Sequence, residues 1–141
     1  MVDVMTGTTD EELWNAFQTS TLPAADWTHH AHLRIAWMHC QKYALDDAHI
    51  LMRVGIIRLN ATHGLVETPT RGYHETMTRV WLALVAAAIR RTPELCTSTE
   101  FLSAHATDLV TVAPLRHYSR QKLTSAEARA VFVPPDLTPL P

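Results

Sequence analysis

Apolar residues recur along most of the chain at steps of three and four positions, the spacing that places side chains on one face of an α-helix. The clearest run is Leu33, Ala36, Trp37, Cys40 and Tyr43. No segment alternates apolar and polar residues over the length of a strand, and the sequence has no internal repeat. The pattern therefore predicts an all-α fold.

Helix-capping signals divide this pattern into about five main helices that form a bundle. Thr9 and Glu12 form a capping box, and Thr68-Pro69 offers a capping hydroxyl followed by a proline suited to a first turn. The main helices are expected at residues 10–19, from 26 or 28 to 43, from 46 or 47 to 61, from 69 or 71 to 91, and from 97 or 98 onward. Two short helical pieces follow Pro114, the second over residues 126–131.

The predicted third helix has apolar residues at Ile50, Leu51, Val54, Ile57 and Leu59. Gly55 lies among them, where glycine costs about 1 kcal/mol relative to alanine in an exposed helix interior. We therefore expect close packing at this glycine. His49 and the following His63 are interpreted as ordinary surface or loop residues.

The last nine residues, 133–141, contain four prolines and cannot be helical, because proline lacks the amide donor and holds its predecessor in extended geometry. Val133, Leu137 and Leu140 are nevertheless apolar and could dock. We expect a single helical domain over residues 1–132 and an extended arm over 133–141. The arm could lie on the domain, mediate a homo-oligomer by lying on a partner subunit, or remain a disordered end.

Composition narrows the class of protein. With 47% apolar and 18% charged residues in 141, the chain can bury a core as one globular domain. A net charge of -2 without Lys or Arg runs disfavours a general nucleic-acid surface. The most apolar stretch, residues 80–89, is too short to cross a bilayer, and no secretory signal is visible. Cys40 and Cys96 form no CxxC motif and are expected as buried free thiols in the reducing cytoplasm.

Histidine is the unusual component, with nine copies in the chain. His29 and His32 stand three residues apart, so that on a helix their side chains meet on one face. A position in the first turn favours the neutral imidazole, which is the form that binds metals. His74 and Glu75 add a third ring and a carboxylate at the start of the fourth predicted helix.

If the second and fourth helices are neighbours, His29, His32 and His74 can converge and hold a divalent transition metal, such as Zn, Fe, Mn, Ni or Cu. Three protein ligands with an open position are typical of a catalytic metal site. Glu75 could be a fourth ligand or the general base that activates a metal-bound water. The spacing is not that of HExxH, and no Glu-x-x-His pair or His-Asp doublet is present.

Several residues near these histidines are candidates for contact with a small-molecule substrate. Arg71 suits an anionic group, while Tyr73 and Trp27 could line a pocket. Tyr118, between Arg116 and Arg120, could help to clamp a carboxylate or phosphate, although a solvated basic helix end is the simpler interpretation.

The sequence thus predicts a small metal-dependent enzyme, hydrolytic or oxidative, that acts on a small polar or anionic molecule. The alternative is a non-enzymatic helical module that binds a ligand or another protein. A histidine-based pH sensor is a third hypothesis, because unperturbed histidine titrates near neutral pH.

Overall fold

A computed structural model describes residues 7–141 and confirms the all-α prediction. The described chain forms seven α-helices: α1 Asp10–Gln18, α2 His29–Lys42, α3 Leu45–Thr62, α4 Glu75–Arg91, α5 Ser98–Ala104, α6 Arg120–Leu123 and α7 Ala126–Ala130. Short 3-10 turns at Ala24–Asp26 and Ala113–Arg116 join them. Within residues 7–141, none of these helices is both long and apolar enough to span a bilayer.

Side-chain oxygens begin most of these helices, as the sequence predicts. The hydroxyl of Thr9 accepts a hydrogen bond from the Glu12 amide at 3.1 Å, and Thr28 accepts from Ala31 at 3.2 Å. Of the two caps predicted for the second helix, Thr28 is therefore the one used. Each bond satisfies an amide that the first helical turn leaves without an intrahelical partner.

The start of α4 differs from the prediction, because the helix begins at Glu75 rather than at residue 69 or 71. Residues 68–71 instead form a tight turn closed by paired backbone hydrogen bonds between Thr68 and Arg71. Gly72 follows with a φ of 105°, which is open to glycine but strained for other residues. A carboxylate oxygen of Glu67 accepts the Tyr73 amide at 2.6 Å, and this bond replaces a helical one.

The main core lies where α2 packs against α1, α3, α4 and α5. The Cys40 thiol of α2 points at the Leu82 carbonyl of α4, 3.8 Å away, so these two helices are direct neighbours. A second, smaller cluster gathers Val80 with four residues from the C-terminal part of the chain: Tyr118, Leu123, Ala128 and Val133. Helix α4 contributes to both clusters and connects them.

The α3 helix buries a different face from the one expected. Of the five apolar positions predicted for it, only Leu59 is buried, and the other four are exposed. The buried face carries Ala48, His49, Met52, Ile56, Leu59 and Asn60. The reason is that α3 has apolar residues nearly all round, so its orientation depends on polar partners and on the contact between Gly55 and Phe17.

A buried polar network ties α1 to α2 and α5. Arg34 of α2 is 0% exposed, and its guanidinium donates to the Ser98 hydroxyl at 2.7 Å and to the Asp10 carboxylate at 3.1 Å. The Ser98 amide also donates to Asp10 at 2.9 Å. Burial alone would raise the pKa of Asp10, but the hydrogen bonds from Ser98 and Arg34 hold it below its usual value.

The C-terminal segment lies on the body of the same chain. The Tyr118 hydroxyl donates to the Val133 carbonyl at 2.6 Å, and the Val133 amide donates to the Thr76 hydroxyl at 3.1 Å. Further along, the Asp136 carboxylate accepts the Ser119 amide at 2.8 Å, and Leu140 packs against the second cluster. The bond between Val133 and Thr76 attaches the segment to the start of α4, and the other contacts attach it to residues 118–119 and to the second cluster.

Candidate functional site

A cavity of about 470 Å³ opens between α2, α3 and α4. Its volume is in the usual range for small-molecule sites, and most of its wall is apolar. The wall includes five residues that the sequence marks as candidates: Trp27, His29, His32, Tyr73 and His74. The condition that the second and fourth helices be neighbours is thus met, and the two histidine segments share one cavity.

The His32 side chain in the cavity wall has a strongly lowered pKa. Its ring lies 3.6 Å from that of Trp27 between centroids, and its Nδ1 donates to the Thr28 carbonyl at 2.7 Å. Burial, aided by the nearby His29, lowers the pKa of His32 to about 4, although the bond to Thr28 opposes this shift. His32 is therefore neutral at pH 7. Its Nε2 is then an acceptor that forms no hydrogen bond within residues 7–141. No buried side-chain atom of these residues lacks a partner, so this nitrogen is accessible from the cavity.

His29 forms the edge of the cavity beside α4. Its Nε2 donates to the Leu109 carbonyl at 3.2 Å, which leaves Nδ1 as an acceptor in the neutral ring. The ring meets Trp81 edge-on, with centroids 4.9 Å apart. His29 also lines a second, more open cavity on the side of α5, so this ring separates two spaces.

His74 has a structural role in addition to its place in the cavity wall. Its Nδ1 accepts the Met77 amide at 3.0 Å and so caps α4, while Nε2 donates to the Leu123 carbonyl at 2.9 Å. Both ring nitrogens are therefore occupied. Burial lowers the pKa of His74, and Arg129 adds to the effect, so that the ring is held in the neutral form that this pattern requires.

The three histidines do not form a metal-binding geometry in the described part of the chain. No group of three or more His, Cys, Asp or Glu side chains among residues 7–141 is arranged to hold a metal ion. Ligation through His74 would require its ring to give up the bond to Met77 or the bond to Leu123. Metal binding by His29, His32 and His74 remains a prediction.

Glu75 lies beside the cavity rather than in its wall. Its carboxylate binds the Arg53 guanidinium at 2.9 Å, accepts the Tyr73 hydroxyl at 3.0 Å and contacts Nε2 of His49. Burial alone would raise the pKa of Glu75, but these donors hold it below its usual value. The network links α3 to the first turn of α4, where a negative charge is favourable. Tyr73 connects it to the cavity, since its ring lines the wall.

The remaining candidates lie apart from the cavity. Arg71 is exposed in the turn before α4, and Tyr118 is buried in the second cluster with its hydroxyl on Val133. Neither belongs to the cavity wall, and their assignment as substrate contacts stays a prediction.

Sequence reasoning missed several residues of the cavity and its surroundings. Asn60 and Met52 of α3 line the wall, and His49 and Arg53 complete the Glu75 network. His49 and Arg53 could have been found from their spacing of four residues, which places both side chains on one side of α3. The apolar residues at positions 50–57 pointed instead to the opposite side.

The chain was compared with models of known protein families, with curated proteins and with solved structures, and no match was found.

Proposed function

We propose that this protein binds a small, flat, largely apolar molecule that carries one hydrogen-bond donor, in the cavity between α2, α3 and α4. The observation that carries the proposal is the neutral His32 ring, which is tilted by 31° against the ring of Trp27 and whose Nε2 acceptor forms no hydrogen bond within the described chain. This nitrogen is accessible from the cavity, where a ligand N–H or O–H can donate a hydrogen bond to it.

The rest of the wall supports a flat and uncharged ligand. Trp27, Tyr73 and Trp81 supply aromatic surface, and Leu33 and Met52 add flexible apolar contacts. Because His32 is neutral and Arg71 lies outside the wall, the cavity has little to offer an anionic group. A neutral ligand is therefore favoured over the anionic one that the sequence suggests.

The experiment compares 2-naphthol with 2-methoxynaphthalene, which has the same ring system but no donor. Titration is followed by isothermal calorimetry on the wild type, His32→Leu and the distant control His117→Leu. We expect 2-naphthol to bind roughly fivefold more tightly in the wild type and the control, since a net hydrogen bond contributes about 1 kcal/mol. In His32→Leu the two probes should bind alike.

Ala36→Phe, which places a ring in the cavity, should abolish binding of both probes. Saturable binding that survives this substitution would place the ligand elsewhere. An unchanged preference for 2-naphthol in His32→Leu would remove His32 from the proposal.

A metal-dependent enzyme is the second candidate, supported by the fact that His29, His32 and His74 line one cavity. In this proposal Glu75 is the general base or a further ligand, and the substrate is a small polar molecule. Elemental analysis of protein purified without a tag or chelator would test it, beside His32→Ala and His74→Ala. Near-stoichiometric metal that both variants lose is expected. Protein that also fails to take up Zn, Fe, Mn, Ni or Cu would contradict it.

We also propose a cytoplasmic location, supported by two free thiols, of which Cys40 is half-buried and Cys96 is exposed rather than buried as expected. Burial raises the pKa of Cys40 to about 12, so this thiol is unreactive. Cell fractionation with thiol alkylation should recover Cys96 reduced, and a disulfide-linked species would contradict the proposal.

A further inference from the structure

One side of α3 exposes an apolar stripe that no other element covers in the described chain. Ile50 is 50% exposed, and Leu51, Val54 and Ile57 are each close to 40% exposed. They share this side with the charged residues Asp47 and Arg58, and we call these six residues the α3 face. The opposite side of the same helix packs into the core and lines the cavity.

The spacing along the α3 face is that of a helix-pairing seam. Asp47, Ile50, Val54, Ile57 and Ala61 follow each other at steps of three, four, three and four residues. This is the a/d repeat of helices that pack side by side along their length. A helix that only covers its own core needs one such stripe, whereas α3 has a second one facing outward.

The charges of the α3 face are complementary to those of the α3 face of a second copy whose helix runs in the opposite direction. Asp47 stands near the N-terminal end of the stripe and Arg58 near its C-terminal end. Neither side chain forms an ion pair within residues 7–141. In an antiparallel pair of α3 helices centred midway between Leu51 and Val54, Asp47 of each copy lies beside Arg58 of the other. A parallel pair would instead place like charges together.

We propose that the α3 face binds a second copy of this chain, as an antiparallel helix pair with two-fold symmetry. A two-fold interface brings one patch against itself, so the patch must carry both halves of each contact. The α3 face does so, with an apolar centre and opposite charges at its two ends. Because a single helix pair is a small interface, we expect association on the order of micromolar.

The first test is sedimentation equilibrium over a concentration series, with circular dichroism to check folding. Val54→Glu places a carboxylate of each copy against Leu51 of the other, close to the symmetry axis, and should weaken association by roughly tenfold or more. The matched control is Val66→Glu in the loop after α3, where the side chain is 74% exposed and lies off the face. This control should associate like the wild type.

A charge exchange tests the antiparallel geometry. Asp47→Arg and Arg58→Asp should each weaken association, because each creates like charges across the axis. The double variant should recover wild-type association, since the ion pairs re-form with reversed signs. A wild type that stays monomeric to about 1 mM would overturn the proposal and leave the face to solvent or to an unrelated partner. Dimers that persist in Val54→Glu, or a double variant that is weaker than both single ones, would overturn it as well.

Discussion

The ring of His74 donates a hydrogen bond to the carbonyl oxygen of Leu123, 2.9 Å away and 49 residues later in the chain. Its other nitrogen caps α4 through the Met77 amide at 3.0 Å. One side chain thus begins the central helix and holds the C-terminal part of the chain against it. A histidine that looks like a ligand in the sequence has a structural task in the fold.

Loss of this ring should therefore destabilise the protein whether or not metal is present. We expect His74→Ala to lower the free energy of unfolding by about 1–2 kcal/mol, the usual cost of removing a helix cap. His74→Asn, which keeps a capping acceptor, should lose less. Urea denaturation with and without chelator measures both effects. A destabilisation of His74→Ala that disappears in chelator would instead favour metal ligation.

Acid should weaken the fold through His32. Its pKa is 6.5 in the unfolded chain and about 4 in the folded one, so the unfolded state takes up a proton first. The stability that depends on the neutral His32 ring is fully present above pH 6.5 and is lost as the pH falls toward 4. The free energy of unfolding should fall by on the order of 3 kcal/mol over this range. Free energies of unfolding between these pH values should fall more steeply for the wild type than for His32→Leu, and equal slopes would contradict the prediction.

Gly55→Ala should destabilise α3 despite the better helix propensity of alanine. A Cβ at this position would lie 2.3 Å from the ring of Phe17, which is itself buried against Trp27 and His39. We expect a loss of about 1–3 kcal/mol from overpacking. In a Phe17→Leu background the added methyl group has room, so its cost should fall by more than half. Thermal denaturation of the wild type, the two single variants and the double variant measures the interaction free energy between positions 55 and 17. Additive effects of the two substitutions would argue against the contact.

Arg34→Met should be among the most damaging single substitutions. It removes the donor that the Asp10 carboxylate and the Ser98 hydroxyl share. Because the Asp10 side chain is 26% exposed and keeps the Ser98 amide, we expect a loss of about 1.5–3 kcal/mol, the usual contribution of a hydrogen bond to a charged group. The double variant Arg34→Met with Asp10→Asn should recover part of the loss, because no charge is left unpaired. Urea midpoints measure this recovery, and a double variant as unstable as the sum of the single ones would count against it.

Tyr118→Phe tests how firmly the C-terminal segment is attached. The substitution removes a buried 2.6 Å hydrogen bond to the Val133 carbonyl and should cost about 1–2 kcal/mol. We expect faster limited proteolysis near residues 131–141 and unchanged binding of 2-naphthol in the cavity. Weaker ligand binding at unchanged stability would instead support the substrate contact predicted for this tyrosine.

The helices themselves follow from local signals in the sequence. Thr9 and Thr28 cap as expected, because a hydroxyl at a helix start needs only the next three residues to act. The start of α4 could not be predicted from local signals. It depends on a hydrogen bond between the Tyr73 amide and the Glu67 carboxylate six residues earlier, and on the left-handed backbone of Gly72.

The orientation of α3 could not be read from its sequence for a different reason. Apolar side chains occur on both of its sides, so hydrophobic spacing alone does not choose between them. The choice comes from tertiary partners, namely Glu75 for His49 and Glu67 for Asn60. That His29, His32 and His74 line one cavity could be predicted only on the condition that the second and fourth helices are neighbours, which the sequence does not show. What each ring nitrogen binds depends on carbonyls far along the chain, such as those of Leu109 and Leu123.

The two hydrophobic clusters also set an order of events on the ribosome. The main core needs no residue beyond Leu109, so it can close as soon as that part of the chain has left the exit tunnel. The second cluster waits for Tyr118 to Leu140, and until then the start of α4 lacks the carbonyl that His74 binds. During synthesis we therefore expect the cavity to acquire its α2 and α3 walls and the Leu82 part of α4 first, and the wall around His74 to be fixed only when the final stretch arrives.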